Sequence, residues 1–552
     1  MNTEPFQLRE KTLGTLLGEI AARYPDNEAI YYANKNVRQT WTQFATEVDK
    51  LAKSLMALGV QKDEKVAIWA TNEPHWLTLM FATAKIGAVL VPVNTSYRNQ
   101  ELLYLLRESD TETLFIGNGF RDHNFFDTLY DVIPDLQHQE PGKTAIDFLP
   151  MLKRVISLDT APHGGILSYD AITRLAPTIS DEEYLARQKT VLPNEVTNMQ
   201  FTSGTTGFPK GVMLTHTNIL NNGYWIGKHQ NLTSQDSVCL PVPFFHCFGC
   251  VLGVMACVNH AAKMVVIESF DPSIVLTHIE EEQCTAAYGV PTMFLSLLEH
   301  RRFPTTNVST LRTGIMAGSV CPEPLMRRVI NEMNLAELTI CYGLTEGSPV
   351  MTQTHADEEF IRKVSTVGRS MPGIDVKIVD PETYEELPAN MAGEVVCKGY
   401  NVMQGYYKNP KATKEAIVDG WLHTGDLGIM DDEGYLVITG RIKDMILRGG
   451  ENIYPREIEE YLSHMPEIFD IQVVGVPSHR YGEEVAAFII PREGAELTPA
   501  KIRAYCKGNI AWQKVPKHIV FVEEFPMTAS GKIQKYVLRQ EAAQKFAHLM
   551  KR

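Results

Sequence analysis

Thr202-Ser-Gly-Thr-Thr-Gly-Phe-Pro-Lys-Gly211 is the stretch on which the reading of this chain turns. Its ten residues hold three glycines, three threonines and a serine, with Lys210 near the end. Glycine lets backbone N–H groups approach a ligand closely, the hydroxyls of Thr202, Ser203, Thr205 and Thr206 add donors, and Lys210 adds a point charge. Such a turn, with Gly204 and Gly207 inside it, can surround phosphate oxygens. An ordinary surface loop can share this composition. Position favours the cradle, because strand-like Val196-Thr-Asn-Met-Gln-Phe201 precedes it and Val212-Met-Leu-Thr-His216 follows. It is not a Walker A loop, since Pro209 precedes the lysine and Gly211 follows it, where that pattern requires Gly and then Ser or Thr.

Around this loop lie 552 residues, more than one hydrophobic core usually supports, so two or more domains are expected. A chain 44% hydrophobic and 21% charged has globular composition. The net charge of −14 disfavours a general nucleic-acid or anionic-membrane surface, while leaving room for a local basic patch toward an anionic cofactor. Nine scattered cysteines suit a reducing compartment, and the lone Cys247-x-x-Cys250 pair reads as buried thiols. The N-terminus lacks the pattern of a signal peptide. The apolar region from Cys250 to Ile267 is broken by Asn259, His260 and Lys263, so it reads as a buried helix running into a strand. A cytoplasmic protein is expected.

Strand-like Lys65-Val-Ala-Ile-Trp-Ala70 and Val89-Leu-Val-Pro-Val93 flank a helical pattern from Glu73 to Gly87, which predicts parallel sheet with helical cover. From 263 to 346 strands and helices alternate again. Three of the strands end in glycine-containing turns, Gly289-Val-Pro291, Ala317-Gly-Ser319 and Gly343-Leu-Thr-Glu346, and ligands of open α/β sheets lie outside the carboxyl ends of strands. Gly318 and Ser319 thereby join one shared site with Tyr342, Gly343, Thr345 and Glu346. Tyr342 offers a flat face to an adenine ring. The Glu346 carboxylate and Thr345 hydroxyl are hard oxygen donors suited to Mg²⁺. Beyond residue 444 the pattern is that of a small α+β domain.

With Tyr342-Gly-Leu-Thr-Glu-Gly-Ser-Pro349, Trp421-Leu-His-Thr-Gly-Asp-Leu-Gly428, Gly440-Arg-Ile-Lys-Asp444 and Pro526-Met-Thr-Ala-Ser-Gly-Lys-Ile-Gln-Lys535 following the loop in order, the chain resembles the adenylate-forming superfamily. That superfamily includes acyl-CoA synthetases, luciferases and the adenylation domains of peptide synthetases. The resemblance implies a large N-terminal α/β domain with mixed or parallel sheets over residues 1–440, holding the ATP and acyl pockets. A hinge at 441–443 and a small mobile α+β domain over 444–552 follow. It implies ATP and coenzyme A as substrates with Mg²⁺ on Glu346, Tyr342 on adenine, Thr345 near the α-phosphate and Asp426 on the ribose hydroxyls. Arg441 is implied on the ribose and its phosphate, with Lys443 in the hinge region. Lys532 would enter the main-domain site for adenylation, and Gly449-Gly450 would be presented to a pantetheine tunnel for thioester formation. His246, inside Pro241-Val-Pro-Phe-Phe-His-Cys-Phe-Gly249, matches an aromatic gate between nucleotide and acyl pocket. Its alternative is a histidine satisfied within an aromatic core turn.

In acetate- and propionate-activating relatives a tryptophan at the place of Gly343 closes the carboxylate pocket. Its absence here implies an open floor and a longer acid, with Gly289 and Gly318 widening the pocket and Met316, Met351 and Phe294 as apolar walls. The expectation is therefore an AMP-forming acyl-CoA synthetase for a medium- or long-chain fatty acid. An aryl or alicyclic acid, or transfer to a carrier protein, is the alternative. No carrier domain follows Arg552, and a silent nucleotide-binding protein is disfavoured by Lys210, Glu346, Asp426 and Lys532 together. The partners expected are the acid, ATP and CoA, without nucleic acid or a transmembrane segment. A homodimer stays open.

Overall fold

Alternating apolar residues of period two bury both faces of the central strands. In Lys65–Trp69, Val66 and Ile68 point into one core while Ala67 and Trp69 point into another. The computed structural model describes residues 6–202, 209–319, 321–449, 451–527 and 533–546, with the side chain of residue 452 left aside.

The first of two compact units comprises residues 1–376 and 397–422. It contains an eight-stranded sheet in the order Gly405–Tyr406, Lys210–Thr215, Val196–Thr202, Val89–Pro92, Lys65–Trp69, Thr111–Ile116, Arg154–Ser157, Leu167–Ser168. Val196–Thr202 and Lys210–Thr215 pair antiparallel with Thr202 opposite Lys210, so the glycine-rich loop is the connection of a hairpin. The helix expected between residues 73 and 87 runs Pro74–Ile86 and ends on Gly87 at φ +76°, the left-handed cap that glycine adopts without a Cβ penalty.

A nine-stranded sheet holds the other half in the order Arg369–Ser370, Val350–Gln353, Glu337–Gly343, Thr313–Met316, Ala286–Gly289, Ser237–Leu240, Lys263–Val266, Glu28–Tyr32, Val37–Thr40. Its inner strands pair parallel. Gly289 is opposite Met316, and Met316 opposite Ile340, so the glycine-containing turns leave neighbouring strands at one carboxyl edge. The largest core cluster draws residues from both sheets and from helices Trp41–Ala57, Pro74–Ile86 and His216–His229. The apolar region after Cys247 is π-helical over Phe248–Met255, α-helical to His260, and a strand from Lys263.

The second unit comprises residues 377–396 and 423–552, and the division cuts strands Ala392–Gly399 and Trp421–Met430. Its main sheet joins Ile446–Arg448, Glu451–Ile453, Gly482–Pro491, Ile468–Ser478 and His518–Phe521. Ile458 and Leu462 of helix Pro455–Ser463 pack on one face against Val473 and Val485; Leu538 and Ala542 of helix Lys535–Lys545 pack on the other against Val474 and Phe488. This is the small α+β domain expected. Among the described residues no helix is long and apolar enough to cross a membrane.

Candidate active site

Lys210 leaves the hairpin half buried, its root fixed by the Tyr104 hydroxyl donating to the Pro209 carbonyl at 3.0 Å. Ser203, Gly204, Thr205, Thr206 and Gly207 lie outside the described residues. The Lys210 ammonium stands 4.4 Å from the centroid of the Tyr406 ring, and the Tyr406 hydroxyl donates to Glu346 Oε1 at 2.8 Å. Loop lysine and candidate metal-binding carboxylate are thus brought together over one tyrosine. Burial first, then the Glu346 charge, pushes the Tyr406 phenol well above its usual pKa and keeps it protonated.

Glu346 sits in the short helical turn Thr345–Gly347, whose carbonyl at 346 accepts the Met403 N–H at 2.9 Å. A carboxylate has about four lone-pair sites, so the bond to Tyr406 leaves capacity for a hard cation beside the Thr345 hydroxyl. One carboxylate with a hydroxyl suits Mg²⁺, which usually takes one or two carboxylates and completes its shell with phosphate and water. Thr345 is also hydrogen-bonded to the buried Cys247 thiol, whose pKa is pushed up by its bond to Cys250 and by burial.

His246 follows strand Ser237–Leu240 at the same edge. Half buried, it accepts the Phe248 N–H on Nδ1 at 3.1 Å, and its carbonyl accepts from Gly249 and Cys250 at the start of the π-helical stretch. Insertions of this kind recur at functional sites. Tyr342 is half buried against the main core, opposite Thr352. Gly318, at φ +91°, and Ser319 are exposed in the neighbouring turn.

Gly343 requires a correction. A Cβ there would stand 1.7 Å from the Pro349 carbonyl oxygen, immediately before the paired strand Val350–Gln353. The glycine permits a close backbone approach and does not open a pocket floor. At Gly318 a Cβ would meet Val290 Cγ1 at 3.0 Å, at Gly289 the Phe294 ring at 3.3 Å. Gly289 and Phe294 line a small apolar cavity of about 10 Å³ with Pro241, Phe270, Tyr288 and Met293. Met316 belongs to the same core cluster as Phe294, whereas Met351 belongs to the one between the sheets.

The second unit holds the remaining candidates. Asp426, 5% exposed, pairs with Arg441 across a hairpin, Nε to Oδ1 at 2.8 Å. The strand residues before it are held by Glu394, which accepts His423 Nδ1 at 2.9 Å and the Gly425 N–H at 2.9 Å. Lys443 lies in the turn Ile442–Asp444, its carbonyl accepting from Arg539 at 3.1 Å. Gly449 has φ +64° and donates its N–H to the Tyr481 carbonyl at 2.7 Å. Beside it the Arg448 guanidinium stands 5.2 Å from the Tyr481 ring and 5.0 Å from that of Trp512, which is 68% exposed. Gly450 and Lys532 lie outside the described residues.

Sequence reasoning missed Tyr406, Glu394, Tyr481 and Trp512. The first two lie 60 and 31 residues from the groups they hold, within no motif of their own.

The model of the AMP-binding enzyme family matches residues 17–407, and that of the AMP-binding enzyme C-terminal domain matches 457–532. YngI of Bacillus subtilis, an acyl-CoA synthetase by name, is 50% identical over 541 residues, covering 98% of each chain. The mouse mitochondrial medium-chain acyl-CoA ligase ACSF2 is 40% identical over 543 residues, 97% of this chain and 88% of the relative. Among solved structures, the ATP-bound MatB of Rhodopseudomonas palustris superposes with a TM-score of 0.82 at 27% identity, over 97% of this chain and 99% of the other. With both domains matched in order, the chain belongs to the AMP-binding enzyme family, as an AMP-forming acyl-CoA synthetase.

Proposed function

We propose that this synthetase activates a medium-chain fatty acid in preference to acetate, a long-chain or aryl acid. The meeting of Lys210 and Glu346 on Tyr406 carries the chemistry, a cation for phosphate and a carboxylate for magnesium on the two sides of one tyrosine. The ligase name of the mouse relative supports the acid class, and the side chains around Gly289 are apolar.

In the first half-reaction a carboxylate oxygen of the acid attacks the α-phosphorus of ATP, and the bond to pyrophosphate breaks. Lys210 holds the departing phosphates; Glu346 and Thr345 would hold Mg²⁺, which would supply charge neutralisation on the pyrophosphate. Tyr342 stacks on adenine, with Gly343, Gly318 and Ser319 at the same turns; Asp426 accepts the ribose hydroxyls and Arg441 donates beside it. Lys532 bridges the attacking and accepting oxygens, where anion meets anion. In the second half-reaction the thiolate of coenzyme A attacks the acyl carbonyl and AMP leaves. The chain turns about 441–443, so that residues 444–552 withdraw Lys532 and bring up Gly449 and Gly450. Arg448, Tyr481 and Trp512 suit the anionic, aromatic nucleotide end of CoA. His246 gates the acid. We place the enzyme in the cytoplasm, in keeping with nine free thiols, seven of them buried.

AMP release with and without CoA, across acetate, octanoate, palmitate and benzoate, tests this reading. Release that depends on both acid and CoA and peaks at octanoate is the expected result. A maximum at acetate or benzoate overturns the acid class, and release indifferent to CoA moves the acyl group to another acceptor.

A further inference from the structure

Lys210, at the start of a strand of the eight-stranded sheet, and Glu346, just past a strand of the nine-stranded sheet, carry opposite charges, yet among the described residues they form no ion pair; the buried side chain of Tyr406 contacts both. The backbone fixes it there. Tyr406 is opposite Val212, two residues past the lysine, and its N–H donates to Thr413 Oγ1 at 2.9 Å. On either side the Gln404 N–H reaches the Met213 carbonyl at 3.0 Å and the Tyr407 N–H the Gly211 carbonyl at 2.8 Å. The Met403 N–H donates to the carbonyl of Glu346 itself at 2.9 Å, so residues 403–407 fasten both the strand of Lys210 and the turn of Glu346.

A half-buried ammonium and carboxylate within reach of one another pair directly, because their attraction is poorly screened. Such a pair would take the lysine from phosphate and the carboxylate from metal. An aromatic spacer binds both without neutralising either. Its face attracts the ammonium through the ring quadrupole, and its hydroxyl donates to the carboxylate. Donation to an anion enriches the ring in electrons, so each contact strengthens the other.

We infer that Tyr406 is a positioning residue that keeps Lys210 and Glu346 apart and aimed, so that triphosphate and its magnesium meet both charges unpaired. This rests on the proposed roles of Lys210 and Glu346. The test compares wild type, Tyr406→Phe, Tyr406→Leu, Glu346→Gln and the Tyr406→Leu/Glu346→Gln double variant. Calorimetry gives the affinities for ATP alone and for Mg·ATP, and acid-dependent pyrophosphate exchange gives the half-saturating magnesium concentration. Tyr406→Phe keeps the ring and loses the donor to Glu346. Its affinity for Mg·ATP should fall about ten-fold, and its half-saturating magnesium should rise by a similar factor, with little change toward ATP alone. In Tyr406→Leu the lysine is captured by Glu346, so affinity for ATP alone should also fall about ten-fold, and Glu346→Gln in the double variant should restore it. A merely structural role would not be rescued by removing the carboxylate. Wild-type magnesium dependence in Tyr406→Phe beside a shifted Glu346→Gln overturns the spacer alone, as does Tyr406→Leu without rescue. Wild-type magnesium dependence in Glu346→Gln overturns the metal assignment and the spacer with it. Should Tyr406→Leu not fold, the Tyr406→Phe arm decides.

Discussion

At Gly343 one missing carbon carries opposite meanings in sequence and structure. Comparison with tryptophan-bearing relatives reads the glycine as an opened pocket, but the space its Cβ would occupy belongs to the Pro349 carbonyl, 1.7 Å away. Gly343→Ala should therefore destabilise the fold by about 3 kcal/mol or more, the class of effect that follows backbone displacement. The remaining active enzyme should keep its order of preference among acids. Thermal melting alongside the acid panel checks this; an unchanged melting temperature with preference moved to shorter acids would restore the pocket reading. Glu394 makes the converse case, a residue without any motif that holds one. Its carboxylate binds His423 and the Gly425 N–H, fixing the strand residues before Asp426. For Glu394→Ala we expect the KM for ATP to rise about ten-fold, with the KM for CoA little changed, as when a charged hydrogen-bond partner is lost. Equal rises in both constants would point to general unfolding. Asp426 and Arg441 were legible because their motifs are local, whereas Glu394 and Tyr406 act across sheet pairings that no spacing announces.

Elements were legible where period and caps agree. Helix Pro74–Ile86 begins and ends within a residue of its pattern because proline opens it and Gly87 closes it. Strand Ile468–Ser478 extends past its apolar run Ile471–Val476 at both ends, since its partner Gly482–Pro491 continues pairing there. Strand order, which places four site-bearing turns side by side, depends on long-range pairing and was not legible. The Pro74–Ile86 helix also carries a titration. Glu73 sits at its N-cap without a capping bond, and burial, reinforced by Glu268, raises its carboxyl from 4.5 to about 7. A folded-state pKa above the unfolded value means that the native state holds a proton the unfolded chain would release. Its contribution is full below the ordinary carboxyl range and is lost as pH rises from about 4.5 through about 7. Glu73→Gln should consequently be more stable than wild type above pH 7 by about 1–3 kcal/mol, the two converging below pH 5. Urea denaturation at pH 5 and pH 8 measures the difference; an equal gap at both values would remove the titration from Glu73.

On the scale of the whole molecule, two half-reactions make incompatible demands on one nucleotide site. Adenylation needs a cation between carboxylate and α-phosphate, while thioester formation needs that space open to a thiol. A hinge resolves the conflict by presenting different parts of one small domain in turn. The second compact unit starts with residues 377–396, ahead of the proposed hinge at 441–443, so contact density and a pivot mark different positions in this chain. Within that unit Arg539 donates to the Lys443 carbonyl at 3.1 Å and reaches the Asp444 carboxylate at 3.4 Å, fastening the far side of the turn to helix Lys535–Lys545. Rotation about the proposed hinge would then be taken up before that carbonyl. Lys532→Ala separates the demands, because the lysine serves one half-reaction. Acid-dependent pyrophosphate exchange should fall about a hundred-fold or more, the scale of losing a charge aimed at a transition state. Thioester formation from supplied acyl-adenylate and CoA should stay within a few-fold of wild type. Single-turnover measurement of each half-reaction makes the comparison, and parallel loss of both would mean that the two steps share one arrangement of the chain.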